Sequence, residues 1–158
     1  MTSEDFASRI VAMQETLYRI SYSILPLACD REDVVQETIR KAWQQREKLR
    51  REDAMQPWVI RILVNECYAL LRRKKREVLL ETLPEREAPA DADISLHQLF
   101  LTLEDTLRLP AVLFYIEGYE VKDIARILFL PSGTVKSRLH RARKKMKETW
   151  DKQEVCKA

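Results

Sequence analysis

Glycine is nearly missing from this sequence, with only Gly118 and Gly133 among 158 residues. Tight hairpin turns often need glycine where φ is positive, and the chain also lacks the sustained apolar and polar alternation of half-buried strands. Sheets are therefore disfavoured. We predict an all-α fold.

Cysteine and histidine are scarce as well. The three cysteines, Cys29, Cys67 and Cys156, are widely spaced and form no CxxC pair, which indicates neither a disulfide framework nor a zinc site and fits a reducing cytoplasm. The chain has no glycine-rich phosphate loop and no HExxH motif, and His97 and His140 have no evident acid–base partner. We predict no metal, no cofactor, no catalytic residue and no enzymatic activity.

Long apolar runs are absent too. No stretch approaches the roughly 20 apolar residues that cross a bilayer. The first residues also lack the basic, apolar and small-residue order of a signal peptide. We expect a soluble, cytoplasmic protein that is not inserted into membranes.

The charge that is present is segregated, although the net charge is only +3. Residues 77–95 carry six acids against one arginine, with two prolines and the stretch APADAD, a composition typical of a linker. We predict two small helical domains, 1–77 and 96–152, joined by a flexible acidic linker at 78–95 and followed by a frayed tail at 153–158.

In the first domain, apolar spacing predicts three helices. The first runs from about Glu4 to Leu25, the second is capped by Asp30, and a polar loop at 46–56 precedes a third that begins at Pro57. Each helix should bury one stripe of side chains in the core. In the first helix this stripe comprises Phe6, Ile10, Met13, Leu17, Ile20 and Ile24. In the second helix it comprises Val34, Val35, Thr38, Ile39, Ala42 and Trp43, and in the third helix it comprises Trp58, Val59, Ile62, Leu63, Leu70 and Leu71.

In the second domain, the pattern predicts two bracing helices followed by a helix-turn-helix. Ser95 caps the first bracing helix, and Leu109-Pro110 begins the second. The first bracing helix carries the stripe Leu96, Leu99, Phe100, Leu103 and Leu107. The helix-turn-helix begins with the apolar residues Val121, Ile124, Ala125 and Leu128, is interrupted at Phe-Leu-Pro-Ser, and restarts near Ser132, which can cap the second helix.

The last helix has an apolar side and a basic side. Its apolar stripe is Val135, Leu139, Ala142 and Met146. Ser137, His140, Arg141 and Lys144 lie opposite. Residues 132–147 hold seven Lys or Arg and no acid. A lone basic amphipathic helix would most simply be a solvated face, but the preceding helix and turn favour a helix that enters the major groove of DNA.

The run IARILFLPSGTVKSRLHRAR resembles the C-terminal DNA-reading domain of bacterial sigma factors of the extracytoplasmic-function group. Three residues depart from the family pattern: Asp123 replaces a glutamate, Glu120 a Ser or Thr helix cap, and Phe129 a turn glycine. Positive φ suits glycine and strains phenylalanine, so either the turn differs here or the chain bears the strain. The resemblance implies that the last helix reads the −35 promoter element through Thr134, Lys136, Ser137, Arg138, His140, Arg141 and Lys144. Arg143 and Lys145, with Lys144, would contact phosphates.

The first domain shares the resemblance. DREDVVQETIRKAW is similar to the family helix that docks on the coiled coil of the polymerase clamp, which implies core-polymerase contacts on its exposed face. The residues of that face are Asp33, Gln36, Glu37 and Arg40. PWVIRILVNECYALLRRKKRE is similar to the helix that, with the preceding loop, holds the melted −10 element. The implied DNA contacts there are Trp58, Arg61, Asn65, Arg72 and Arg73. Core packing explains Trp58 better than base stacking does, and the run 72–76 should lie in solvent.

The resemblance implies an alternative sigma factor that binds core RNA polymerase at the β′ clamp and the β flap, recognises promoter DNA and promotes initiation. It also implies control by an anti-sigma factor in response to envelope or other extracellular stress, and a linker near the RNA exit path. A helix-turn-helix regulator that occupies an operator without polymerase is the alternative. Binding to core polymerase discriminates between them.

Overall fold

The computed structural model describes the backbone of residues 1–77 and 94–157, and the side chains of 1–77 and 98–152. The described residues form helices and turns without a strand, which confirms the all-α prediction. The chain divides into two compact units, Met1–Glu87 and Ala88–Ala158. The predicted linker, 78–95, lies outside the described residues except for its last two positions, and the domain limits stay a prediction.

The first unit packs three helices against one another: α1 (Ser3–Tyr22), α2 (Ala28–Gln44) and α3 (Met55–Glu77). Thr2 caps α1, since its hydroxyl oxygen accepts the Asp5 N–H at 3.1 Å while the Asp5 carboxylate accepts the Thr2 N–H at 3.2 Å. The helix ends at Tyr22, before the predicted Leu25, so Ile24 lies in the connection that follows it. The six residues predicted for the apolar stripe are nevertheless all buried. That prediction is confirmed.

The start of α2 differs from the prediction. The helix begins at Ala28 after Leu27, which makes no side-chain cap, so Asp30 lies inside the first turn instead of capping it. Its carboxylate is buried and accepts a hydrogen bond from the Lys74 ammonium of α3. The prediction that residues 72–76 all lie in solvent was therefore wrong at Lys74, because its partner is 44 positions away and local spacing gives no sign of it.

Next to that ion pair, Arg31 is buried. Its guanidinium donates to the carbonyls of Leu25 and Pro26, each at 3.0 Å, and lies over the Tyr22 ring, 5.1 Å from the ring centre. These contacts satisfy carbonyls in the connection that follows α1. The buried Arg31 side chain thereby holds the connection between α1 and α2 in place.

The third helix starts earlier than predicted, and a larger part of its circumference is buried than the predicted stripe. Its first residue is Met55, and Pro57 is tolerated in the first turn because amides there have no acceptor within the helix. Both α1 and α2 pack against α3, which explains the added burial. The predicted residues Val59 and Leu63 are buried, together with the unpredicted Met55, Ile60, Val64 and Cys67. The predicted core residues Trp58, Ile62, Leu70 and Leu71 are only half-buried.

The second unit comprises α4 (Ile94–Leu101), α5 (Asp105–Ala111), a π-helical stretch (Val112–Ile116), α6 (Val121–Leu128) and α7 (Ser132–Lys157). Its core lies between α4, α5, the π-helical stretch and α7. The buried residues there are Phe100, Leu103, Leu107, Ala111, Val112 and Ala142. The half-buried Ile116 and Met146 pack against them.

The break between the bracing helices falls before the position that the sequence indicated. It lies at 102–104, and Pro110 is inside α5, not at a helix start. Arg108 explains part of this, because its guanidinium folds back to the Leu101 and Leu103 carbonyls at 3.3 and 2.7 Å and supplies donors where α4 ends. Ser95, predicted as a cap, is the second residue of α4.

The ends of α7 also differ from expectation. The helix begins at Ser132, so this residue lies in its first turn instead of preceding it as the cap. The backbone continues as helix to Lys157, where the sequence predicted a frayed tail from 153. The apolar stripe is confirmed: Val135, Leu139 and Ala142 are buried and Met146 is half-buried.

The turn between α6 and α7 keeps the geometry that glycine would favour, although the residue is phenylalanine. Phe129 has φ 54° and ψ 45°, in the left-handed region. The Phe129 and Leu130 amides both donate to the Ala125 carbonyl, and the aromatic side chain is 64% exposed. Of the two possibilities that the sequence left open, the chain bears the strain.

Glu120 precedes α6 and makes no side-chain hydrogen bond to cap it; its carboxylate instead lies 3.2 Å from the Lys122 ammonium. Within the described parts of the chain, no helix has both the length and the apolar character needed to cross a membrane.

Phe129→Gly should raise the stability of the second unit by about 0.5–1 kcal/mol, because glycine removes the left-handed strain at the cost of a more flexible unfolded chain. Amide hydrogen exchange in α6 and α7 of the full chain measures this. Phe129→Ala is the control, since alanine keeps the strain. Equal protection in the two variants would show that the backbone conformation is not the source of the gain.

Candidate nucleic-acid interface

The packing of α7 turns its basic side outward. Val135, Leu139 and Ala142 contact the interior of the second unit, so the opposite side of the helix faces solvent. Of the residues predicted to read DNA, Lys136, Ser137, His140, Arg141 and Lys144 are exposed, and Thr134 and Arg138 are half-buried. One face of one helix therefore presents hydroxyl, imidazole, ammonium and guanidinium groups together.

Several cations on this face have no partner within the part of the chain that the structure describes. Lys136, Arg138 and Lys144 make no hydrogen bond or ion pair there. An exposed Lys or Arg without an intramolecular partner can contact a phosphate, and Arg can also donate two hydrogen bonds to a guanine edge. The face is chemically suited to duplex DNA.

Two other cations of α7 are held by neighbouring elements. The Arg143 Nε donates to the Tyr115 hydroxyl at 2.9 Å, and the Lys145 ammonium donates to the Glu104 carboxylate. Sequence reasoning missed both partners, because they lie 28 and 41 positions away and no helical spacing connects them. Lys145, chiefly through its hydrogen bond, and Arg141, through its charge, lower the pKa of Glu104.

A polar stripe runs along α3 in the first unit. At about 100° per residue, Arg61, Asn65 and Arg72 fall within about 40° of one another. Asn65, Arg72 and Arg73 are exposed and Arg61 is half-buried. The structure therefore brings Arg61, Asn65 and Arg72 to one side of the helix, with Arg73 on an adjoining side.

Trp58, the fifth residue predicted for the −10 element, packs within its own unit. It is half-buried, and its ring meets the Phe6 ring edge-on with centroids 6.5 Å apart. This contact agrees with the core-packing interpretation.

Trp43 lies near the end of α2, just before the predicted polar loop. That loop contains two short 3-10 turns, Arg46–Lys48 and Glu52–Ala54. The indole, predicted to be buried, is 40% exposed and contacts Phe6 edge-on. Arg46 lies over it at 4.3 Å and donates to the Trp43 carbonyl at 2.9 Å. A cation over the ring face explains how the tryptophan can remain partly outside the core.

The exposed face of α2 divides into available and paired groups. Asp33 and Gln36 are exposed and make no side-chain hydrogen bond within the described chain. Glu37 and Arg40 instead form a double contact, with the Arg40 Nε 2.8 Å from one Glu37 oxygen. This hydrogen bond is the main cause that lowers the pKa of Glu37 and raises that of Arg40. A partner would find Asp33 and Gln36 unengaged but would have to share Glu37 with Arg40.

The side chains of two cysteines are described. Cys29 is exposed and Cys67 buried, both as free thiols, and burial raises the pKa of Cys67 to about 12. No group of three or more His, Cys, Asp or Glu side chains among the described residues is arranged to hold a metal ion.

Known proteins resemble both units. The family profile for Sigma-70 region 2 matches residues 10–77, and that for Sigma-70 region 4 matches residues 94–146. RNA polymerase sigma factor SigV of Bacillus subtilis is 28% identical, with 90% of this chain and 89% of the relative covered. ECF RNA polymerase sigma factor SigM of Mycobacterium tuberculosis is 30% identical, with 82% and 69% covered.

A solved structure is similar as well. It is the sigma factor RpoE of Bartonella quintana in complex with the anti-sigma factor NepR. The TM-score is 0.79 at 26% identity, and the match covers 94% of this chain and 98% of that one. The resemblance therefore extends over nearly the whole chain.

Lys144→Gln should reduce the salt dependence of duplex DNA binding, lowering the slope of log affinity against log salt by up to ~0.9 for one lost phosphate contact. Lys145→Gln should have a smaller effect, because Glu104 already offsets that charge. Fluorescence anisotropy with the full chain, over a series of salt concentrations, measures both. An unchanged slope for Lys144→Gln would mean that this ammonium does not contact phosphate.

Proposed function

This chain belongs to the extracytoplasmic-function sigma factors, and on that premise we propose that it binds core RNA polymerase and directs it to promoters through two DNA-contacting helices, α3 and α7. The observation that carries the proposal is the order of the two matched regions. A region 2 match spans the unit that contains α2 and α3, and a region 4 match spans the unit that contains most of α7. The two matches together cover residues 10–77 and 94–146.

At the −35 element, α7 enters the major groove of the duplex. The residues that reach base edges are Thr134, Lys136, Ser137, His140 and Arg141, and the guanidinium of Arg141 can donate two hydrogen bonds to guanine. Arg138 and Lys144 complete the contact surface, with Lys144 on phosphate. The outward orientation of the basic side and the lack of intramolecular partners for Lys136, Arg138 and Lys144 in the described chain support this assignment.

At the −10 element, α3 and the segment before it contact the separated strands. Arg61 and Asn65 are positioned for base or backbone contacts, and Arg72 and Arg73 supply positive charge further along the helix. Trp58 acts mainly by packing against Phe6, which fixes the start of α3. Domain 1–77 therefore holds melted DNA, while domain 96–152 reads the duplex.

The exposed face of α2 docks on the coiled coil of the polymerase clamp. Asp33 and Gln36 offer acceptors to arginine side chains of the partner, and Glu37 with Arg40 offers one group of each sign. The 78–95 segment tethers the two domains and passes near the RNA exit path, and the β flap contacts the second domain. Polymerase carries out all bond formation, and this chain supplies no catalytic residue.

An anti-sigma factor controls this protein by covering the polymerase-binding surfaces, in response to envelope or other extracellular stress. The support is the similarity to RpoE of Bartonella quintana, whose structure contains the anti-sigma factor NepR. Because core polymerase and promoter DNA are in the cytoplasm, the protein acts there.

The operator-binding regulator is not favoured. That hypothesis assigns the first unit to dimerisation or ligand binding, whereas the region 2 match covers residues 10–77 of it. The helix-turn-helix is compatible with a sigma factor and with an operator-binding regulator. The two hypotheses therefore differ in the role that they give to the first unit.

Transcription in vitro from a pool of genomic promoter fragments, with core polymerase alone and with this protein added, tests the proposal. New start sites that share −35 and −10 sequences are expected. Arg141→Ala should reduce use of −35-dependent promoters while core binding stays intact, because one base-reading side chain is lost. Lys147→Ala is the control, since Lys147 is exposed on the same helix but lies about 9 Å further along the axis and about 120° around it from Arg141.

Two results would contradict this. No new start sites, with tight duplex binding in the absence of polymerase, would favour the operator-binding regulator. Unchanged promoter preference in Arg141→Ala would remove that residue from readout.

Charge reversal on α2 tests core docking. Asp33→Lys with Glu37→Lys should weaken binding to core polymerase, because cations of the partner would meet two further cations. Glu4→Lys with Glu15→Lys is the matched control, because it makes the same charge change at two exposed acids of α1. Binding measured by fluorescence titration should fall only for the α2 variant, and equal losses in both proteins would indicate a general charge effect instead of a docking face.

A further inference from the structure

Glu104 brings a carboxylate to the basic side of α7 from a different part of the chain. It lies just before α5, and its Oε1 accepts a hydrogen bond from the Lys145 ammonium. Both side chains remain largely exposed, at 64% for Glu104 and 46% for Lys145. Arg141, a residue of the proposed reading face, is close enough to act on the same carboxylate.

The sequence of α7 itself makes this position unusual. Residues 132–147 contain seven cations and no acid, and Glu148, the first acid of α7, makes no ion pair with them among the described residues. Glu104 stands where a DNA phosphate could otherwise approach Lys145. A carboxylate and a phosphate oxygen compete for the same ammonium donors.

Arg143 provides a contrast on the same helix. Its partner, the Tyr115 hydroxyl, is neutral and leaves the positive charge of the guanidinium intact. Tyr115 therefore orients Arg143 without reducing its positive charge, whereas Glu104 offsets the positive charge of Lys145.

We propose that Glu104 is an intramolecular competitor of DNA phosphate that lowers the affinity of α7 for duplex DNA irrespective of sequence. The proposal rests on the proposed function, in which α7 binds the −35 duplex. An exposed ion pair of this kind is weak, so a correctly placed phosphate can displace the carboxylate. Because non-specific binding depends almost wholly on phosphate contacts, such a competitor limits retention of the protein on the large excess of unrelated DNA.

Glu104→Gln tests this in the full chain and in the holoenzyme, with one duplex carrying the −35 sequence and one unrelated duplex. The affinity for both duplexes should rise by the same factor. If one further phosphate contact forms, the slope against log salt should steepen by up to ~0.9, so the gain at about 50 mM salt should exceed that at about 200 mM roughly 3.5-fold.

Two further variants separate the proposed role from a general change in charge. Asp105→Asn makes the same charge change at the neighbouring position, but Asp105 is paired with Arg108 at 2.9 Å instead of with α7. This variant should leave the affinity nearly unchanged. In a Lys145→Gln background, Glu104→Gln should give a smaller gain, because the main partner of the carboxylate has been removed.

The outcomes distinguish this proposal from the proposed function. If Glu104→Gln binds both duplexes like the parent protein while Lys144→Gln and Arg141→Ala bind less tightly, the competitor role is overturned and the DNA-reading face stands. Equal gains for Glu104→Gln and Asp105→Asn would also overturn it. If none of the α7 variants changes binding, the reading face itself fails.

Discussion

Burial of the apolar stripe of α7 is the constraint on which the DNA-binding geometry depends. Val135, Leu139 and Ala142 can be removed from water together only at one rotation of the helix about its axis. That rotation determines which side chains face outward, so the same contacts that stabilise the second unit also orient Ser137 and Arg141. A change that rotated α7 would therefore affect both its stability and its proposed readout.

Ion pairs constrain the first unit in a comparable way. Asp30 with Lys74 and Lys41 with Glu66 each connect α2 to α3, and the polar stripe of α3 lies on another side of that helix. Because the buried or half-buried charges are paired between helices, they favour one alignment of α2 and α3 over others. The docking face proposed on α2 and the DNA-contacting stripe proposed on α3 are thus presented by a single packed bundle.

The turn at Phe129 shows how packing can override local preference. A phenylalanine disfavours positive φ, yet the chain adopts φ 54° there, and the amides of Phe129 and Leu130 both donate to the Ala125 carbonyl. Burial of Ile124 and Ile127 on one side of the turn and Val135 on the other requires a short connection. The global fold therefore imposes a conformation that the residue itself would not choose.

The sequence alone determined the helical class, the stripes of α1 and α7, and the family pattern, because each depends on periodicity or on a contiguous motif. The docking and DNA-contacting roles of individual residues stay predictions. Only the tertiary structure decided where α4 ends, that Asp30 bonds to Lys74 instead of capping α2, and that Glu104 and Tyr115 meet α7. These depend on partners up to 44 positions apart, and helical spacing relates only residues within a few turns of one another.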